Sequence, residues 1–203
     1  THVVGMGSGS PGVPCGLAAR EAGATVALLQ KEAEASAGGN AGAGLELSGS
    51  DPADVEALIS FLMASSAHRP KRELLEVWAG NSGEAVKWLI EKAKAAGAQV
   101  SDAGNGAQAS FLKDTGYHIN FVTSVFGPKP YDTGEAMKAL CKLAAKEGVE
   151  VFFNTPARQL VMENGRITGV IAYQADGFFP SRARRDVVRA TGASQKDEDK
   201  QRQ

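Results

Sequence analysis

Gly7, Gly9 and Gly12 lie in the stretch "GMGSGSPGVPCG" (5–16), directly behind the apolar run "HVV". The order Gly7-Ser8-Gly9-Ser10-Pro11-Gly12 fits a GxGxxG pattern between a strand-like run and a helix-like run. In that setting each glycine has its own task. The first allows a tight turn, the second lets backbone N–H groups reach a pyrophosphate, and the third lets helix and strand pack closely. The N-terminus of the following helix adds the positive end of its dipole. The chemistry indicated is dinucleotide binding, which the strand–turn–helix setting favours; the alternative is a glycine-rich turn of an α/β protein without a ligand. A second register, with Gly5 and Gly7 leading and Ser10 third, loses the last glycine.

About 20 residues on, such a site ordinarily carries an Asp or Glu that accepts from ribose hydroxyls. Here Gln30 stands at the end of the second strand-like run, "ATVALLQ" (24–30). An amide oxygen accepts one such bond without the strength of a charged acceptor. Restoring a carboxylate at this position is therefore expected to tighten nucleotide binding, provided Gln30 lies at the ribose. Pro14 is awkward for a helix that begins at Ser10, because proline past the first turn removes a hydrogen bond.

The elements that must position these groups begin with a strand at 2–6, a helix at 10–23 closed by Gly23, and a strand at 24–30, a βαβ opening that implies a parallel sheet. Residues 31–50 read as loop. Asp51-Pro52 opens a helix as N-cap and first residue, and Val55, Leu58, Ile59, Leu62 and Met63 form its apolar face. A further helix is expected from about Asn81, where Glu84 completes a capping-box-like pair. Residues 101–116 read as loop. A helix over about 133–147 puts Met137, Leu140, Cys141 and Ala144 inside and ends at Gly148. "VEVFFN" then reads as a strand, and a hairpin follows with Asn164-Gly165 as a type I′ turn. "RDVVRATGA" is a strand entering a small-residue turn, and the polar stretch from Ser194 is expected to fray. Trp88, Phe152 and Phe153 are expected in the core.

Composition narrows the classes. The chain has 203 residues, net charge −1 and 24 glycines, the last well above the usual roughly 7%. Near-neutral charge gives no reason to expect nucleic acid or an anionic membrane as partner. No apolar stretch approaches the ~20 residues of a transmembrane helix. Cys15 and Cys141, the two cysteines, sit in no metal-ligand spacing, so neither a zinc site nor a disulfide framework is expected and no metal is assigned. The compartment stays open.

"GSGSPG", "AAREAGATVALLQK", "GGN" (38–40), "NSGEAVKWL" (81–89), the stretch from "GEAMKAL" to "GRITGVIA" and "RATGAS" occur in an order and spacing that resembles the FAD-binding domain of the fumarate reductase/succinate dehydrogenase flavoprotein family. The resemblance covers nearly the whole chain. It implies an α/β fold, a Rossmann-like FAD-binding domain with a parallel sheet, inserted helices at about 51–100 and a β-meander near 157–175. It places Gly7, Gly9, Ser10, Pro11 and Gly12 at the FAD pyrophosphate and Gln30 with Lys31 at the adenosine ribose. Gly38, Gly39 and Asn40 become the loop running under the pyrophosphate toward the flavin, and Ala157 meets the adenine through its backbone. Ala190, Thr191 and Gly192 match the family's "ATGG". Ala193 replaces the second glycine there, which implies strain if that position needs φ > 0.

The resemblance further implies FAD held non-covalently, since "GGNAGAG" (38–44) has no His, Tyr or Cys for a flavin linkage. Family members are much longer, and residues 1–203 correspond to the part before the capping domain. The catalytic arginine and histidine residues of the family come from that later part, so none is assigned here. The implied activity is hydride transfer between flavin and a substrate C–C bond, with a small-molecule substrate and an unassigned electron donor in the full-length protein. The alternatives are a non-catalytic nucleotide-binding module and, less well supported by "GGN" and "ATGA", an NAD(P)-dependent enzyme. His118 in "TGYHINF" is either an acid–base group or a half-exposed strand histidine. Arg182, Arg184, Arg185 and Arg189 read as a solvated sheet edge, with anion binding as the alternative.

Overall fold

The structure is a computed structural model and describes residues 1–38, 43–102, 115–127 and 132–192. In chain order the first elements are β1 (Val3–Met6), α1 (Gly12–Glu21), β2 (Val26–Leu29), β3 (Ala43–Glu46), α2 (Pro52–Ser65) and α3 (Arg72–Ala95). β4 (Val100–Asp102), β5 (Asn120–Phe126), α4 (Thr133–Lys146) and β6 (Glu150–Phe152) follow. β7 (Ala157–Glu163), β8 (Arg166–Gln174), β9 (Gly177–Arg182) and β10 (Asp186–Arg189) come last. The chain divides into two units, Thr1–Gly39 with Thr133–Gln203, and Asn40–Asp132.

The first unit holds a four-stranded parallel sheet in the order β10-β1-β2-β6. β2 is buried along its whole length, as a strand covered on both faces must be. α1 starts at Gly12, two residues later than expected, and this removes the difficulty with Pro14. The proline falls in the first turn, where the N–H has no acceptor inside the helix to lose. β7, β8 and β9 form an antiparallel meander. Its first turn places Asn164 at φ 51° and Gly165 at φ 76°, as the type I′ reading requires. Val170 and Ala172 of β8 pack on Val4, Met6 and Leu29, with Phe152 and Phe179 meeting at 4.8 Å between ring centroids. Phe153, expected in the core, is 37% exposed instead, because it follows the last residue of β6 and leaves the sheet. Arg182 pairs with Glu163 at 2.8 Å, and Arg184, Arg185 and Arg189 are exposed at the strands' ends.

The second unit is a three-stranded antiparallel sheet, β3-β5-β4, packed with α2 and α3. Asp51 caps α2 by accepting from the Ala53 N–H at 2.7 Å. Leu45, Leu58, Ile59, Ala79, Ile119 and Phe121 make the core. β3 lies in the expected 31–50 loop, and part of β4 in the expected 101–116 loop, of which 103–114 are outside the described residues. α3 begins at Arg72, not near Asn81. Asn81 is in mid-helix and its Nδ2 donates to the Val77 carbonyl at 2.7 Å, so the capping-box reading fails. The polar "NSG" triplet that suggests a cap is where α3 meets β3. Ser82 Oγ accepts from the Leu45 N–H at 2.8 Å, and Lys87 pairs with Glu46, holding that carboxyl below its ordinary value through the hydrogen bond. A Cβ on Gly83 would lie 2.4 Å from the Leu45 oxygen, and one on Gly44 would lie 2.2 Å from the Ser82 oxygen.

Gly83→Ala is accordingly expected to destabilise the chain by about 1–3 kcal/mol through overpacking, although alanine is the better helix former by about 1 kcal/mol. Urea denaturation measures the balance, and a gain in stability would mean that α3 can withdraw from β3.

Candidate dinucleotide site

The parallel strands β1, β2 and β10 end together, and parallel sheets bind ligands in the crevice outside those carboxyl ends. A cavity of about 700 Å³ opens there. Gly7 leaves β1 with φ +98°, a conformation that favours glycine, and a Cβ on it would lie 2.5 Å from the Ala190 oxygen. A Cβ on Gly12 would lie 1.9 Å from the Gly7 oxygen, so the first turn of α1 rests directly on the strand exit. Gly9 faces the passing segment, with the Ser36 oxygen 3.2 Å from its would-be Cβ. Gly5, by contrast, is inside β1, paired with Leu28 and Val188. The geometry favours the register that starts at Gly7.

What this turn offers is donors. The N–H groups of Ser8, Gly9 and Ser10 have no acceptor among the described residues. The Ser8 hydroxyl is fully buried and also lacks a partner. An orphaned buried hydroxyl such as that of Ser8 is rare, and Ser8, Gly9 and Ser10 line the cavity at the N-terminus of α1. Unspent N–H groups together with the positive helix end suit a diphosphate. The pyrophosphate of a dinucleotide fits this cradle.

Gly7, Gly9, Ser10, Pro11, Gln30, Lys31, Gly38, Ala157, Ala190, Thr191 and Gly192 all line the cavity. Gly12 does not; it lies behind the turn and sets its depth. Gly39, Asn40 and Ala193 are outside the described residues. Gly192 has φ +75°, so the small-residue turn after β10 does use a left-handed position. Sequence reasoning missed Ser8, Ser36 and Arg158, which share the lining. Ser8 was within reach as the first variable position of the fingerprint, and Arg158 as a cation next to Ala157. Ser36 has no local signal.

Gln30 departs from the sequence expectation in what its side chain does. It is 5% exposed. Its Oε1 accepts from the Lys31 N–H at 3.0 Å and its Nε2 donates to the Glu34 carbonyl at 3.1 Å. The amide thus closes the 30–34 turn. Its own backbone oxygen accepts from the Thr155 N–H at 2.8 Å, and Thr155 Oγ1 accepts from Gln174 Nε2 at 3.1 Å. This chain of bonds holds the wall of the cavity to the segment carrying Ala157. Lys31 is exposed and pairs with Glu32 at 3.3 Å.

His118 is exposed and lies in the second unit, where its N–H donates to Asp54 Oδ2 at 2.6 Å. Burial pushes the thiols of Cys15 and Cys141 up, away from the nucleophilic thiolate. Among the described residues, no three His, Cys, Asp or Glu side chains are placed to hold a metal, and no helix is long and apolar enough to cross a membrane.

These features define an α/β domain of Rossmann-like type with a dinucleotide cradle. The chain belongs to the FAD binding domain family, whose model matches residues 2–202. It is similar to 3-ketosteroid-Δ4-(5α)-dehydrogenase from Rhodococcus jostii RHA1, at 25% identity over 94% of this chain and 45% of that one, with a TM-score of 0.67. A flavocytochrome c3 fumarate reductase in an open conformation is likewise similar at 25% identity, over 95% of this chain and 34% of that one, with a TM-score of 0.70. 3-Ketosteroid Δ1-dehydrogenase from Sterolibacterium denitrificans, 14% identical over 98% of this chain and 49% of that one, shares the fold with a TM-score of 0.70. The chain thus spans between 34% and 49% of the length of these solved chains. No curated protein sequence matches it. The family is one of flavoprotein oxidoreductases, and its cofactor is FAD.

Two substitutions test the site. Gly9→Val drives a branched side chain toward the Ser36 carbonyl and into the cradle, and should weaken FAD binding by roughly tenfold or more, about 1.4 kcal/mol. Gly5→Ala sets its methyl 2.5 Å from Leu28 Cδ2, so it should lower Tm and spare affinity; the opposite pattern in a fluorescence titration would restore the earlier register. Gln30→Glu removes the donor to the Glu34 carbonyl and should destabilise the chain by about 1–3 kcal/mol. It should also weaken FAD binding, whereas tighter binding at unchanged Tm would make Gln30 a plain ribose acceptor.

Proposed function

We propose that this chain is the FAD-binding part of an oxidoreductase of the fumarate reductase type, that it holds FAD non-covalently, and that a capping domain outside residues 1–203 completes the enzyme. The observation that carries the reading is the row of N–H groups at Ser8, Gly9 and Ser10 in front of α1 that have no acceptor among the described residues. In such an enzyme the bound FAD supplies hydride exchange with a C–C bond of the substrate. The residues present here do the binding. Ser8, Gly9 and Ser10 donate to diphosphate oxygens, and the α1 N-terminus stabilises their charge. Gln30, Thr155 and Gln174 keep the adenosine end of the cavity in shape. Gly38, Gly39 and Asn40 serve the flavin side of the site, and Ala157, Ala190, Thr191 and Gly192 its remaining wall. Substrate orientation and proton supply fall to the capping domain, and the substrate is a small molecule with an activated C–C bond.

A second reading, a nucleotide-binding module without catalysis, is favoured by one observation. Gln30 commits both ends of its amide to its own turn, where an enzyme of this kind ordinarily presents a carboxylate.

FAD added to the chain should bind saturably, be displaced by ADP, and pass into the supernatant on acid precipitation; flavin retained in the pellet would show a covalent bond. For the enzyme reading, flavin reduced on the full-length protein should be reoxidised anaerobically by an α,β-unsaturated acid or ketone. Reoxidation by none of these would leave the binding module as the better account.

A further inference from the structure

Segment 31–35 has a cavity on each side. Lys31 and Glu32 line the dinucleotide cavity. Ala33, Glu34 and Ala35 line a second one, of about 250 Å³, whose other walls are Cys141, Ala145, Val151 and Phe153, with Lys138 and Lys142 of α4 at its edge. We propose that this second cavity binds a small aromatic carboxylate, and that its occupant opposes dinucleotide binding by loosening segment 31–35.

The chemistry of the lining selects the ligand. The walls are apolar, and Phe153, 37% exposed, is among the lining residues and supplies an aromatic side chain with which a second ring gains by offset or edge contact. The volume is below the roughly 300–1,000 Å³ of pockets for drug-sized molecules, so the occupant is a single ring with a short polar group. Charge decides what that group is. Lys138 is already paired with Glu135 at 2.7 Å and Glu34 at 2.8 Å, and these partners push its pKa up. Lys142 stands one helical turn further on, on the same face of α4, and has no acidic partner among the described residues. The remaining charge at the cavity edge is therefore positive, and a carboxylate complements it.

The coupling rests on the dinucleotide reading above and on two ties that meet at Glu34. From one side Gln30 Nε2 donates to its carbonyl at 3.1 Å. From the other, Lys138 Nζ holds its carboxylate. A ligand carboxylate beside Lys142 also lies within reach of Lys138 and competes with Glu34 for it. Releasing that tie gives the segment freedom that a bound dinucleotide must remove again, so each ligand lowers the affinity of the other by the same factor.

Benzoate is the probe, with benzyl alcohol as its uncharged counterpart. Ligand-observed NMR on the full chain without FAD should give saturable benzoate binding, much weaker binding of benzyl alcohol, and loss of benzoate binding in Lys142→Ala and Lys142→Glu at unchanged Tm. Absence of saturable binding, or binding indifferent to both Lys142 variants, would overturn the site. With benzoate saturating, the apparent Kd for FAD should rise by up to about fivefold, the worth of one such ion pair, and then level off, and the Lys142 variants should keep the wild-type FAD affinity without responding to benzoate. A flat Kd refutes the coupling. A Kd that climbs without limit places benzoate in the dinucleotide cavity and refutes the second site. Failure of FAD to bind at all refutes the functional reading and the coupling with it, while the benzoate titration still decides the site by itself.

Discussion

The approach of three pieces of backbone around Gly7 fixes the geometry on which the site depends. The Gly7 oxygen sits where a Cβ of Gly12 would be, 1.9 Å away, and Gly7 itself presses on Ala190, whose oxygen would be 2.5 Å from a Cβ. No side chain fits between them, so α1 must start where it does and point its N-terminus across the strand ends. β10 completes the arrangement from the far end of the chain. It runs parallel beside β1, and the Ala190 N–H donates to the Met6 carbonyl at 2.9 Å. A fingerprint local in sequence is therefore finished by residues more than 180 positions away.

The outer wall of the cavity is held differently. Residues 30–38 follow no regular element, and a segment of that kind keeps its place only if its polar groups are satisfied. Gln30 does this with four hydrogen bonds: its amide to the Lys31 N–H and Glu34 carbonyl, its N–H to the Phe152 carbonyl, and its own carbonyl from Thr155. The Lys31–Glu32 pair is exposed and contributes little, while Lys138, half-buried on α4, ties the exposed Glu34 by up to about 1 kcal/mol, more weakly than the amide does. Most of the rigidity here comes from the buried Gln30 amide, and the Lys138–Glu34 pair adds a weaker, releasable tie to α4.

That division explains what could be read from the sequence. The parallel strands, α1, α2, α4, the Asn164-Gly165 hairpin and the glycine cradle all announce themselves through local pattern, because each depends on residues within one element or turn. β3 and the start of α3 do not. "AGLE" is too short and too rich in small residues to read as a strand, and Asn81-Ser82-Gly83 imitates a helix cap while serving a contact to another element. Phe153 looks like core by type and lies outside the sheet by one residue. Gln30 follows the last residue of β2, where the strand-like run 24–30 ends, but its hydrogen-bond partners include a carbonyl in an irregular segment, which no periodicity can reveal.

Glycine density alone would not have distinguished a binding site from a packing contact, since both units use the same device. Gly44 and Gly83 let β3 and α3 approach as closely as Gly7 and Gly12 let β1 and α1 approach. The difference lies in the donors exposed by the approach. At β3 the Leu45 N–H is taken up by Ser82 Oγ, so the contact is closed on itself. At the cradle the Ser8, Gly9 and Ser10 N–H groups and the Ser8 hydroxyl stay unmatched among the described residues. Leaving a buried donor such as the Ser8 hydroxyl unsatisfied costs about 1–3 kcal/mol, a cost that packing does not require and that an anionic ligand would remove. The unspent donors, more than the glycines that expose them, are what supports the proposal that the first turn receives phosphate.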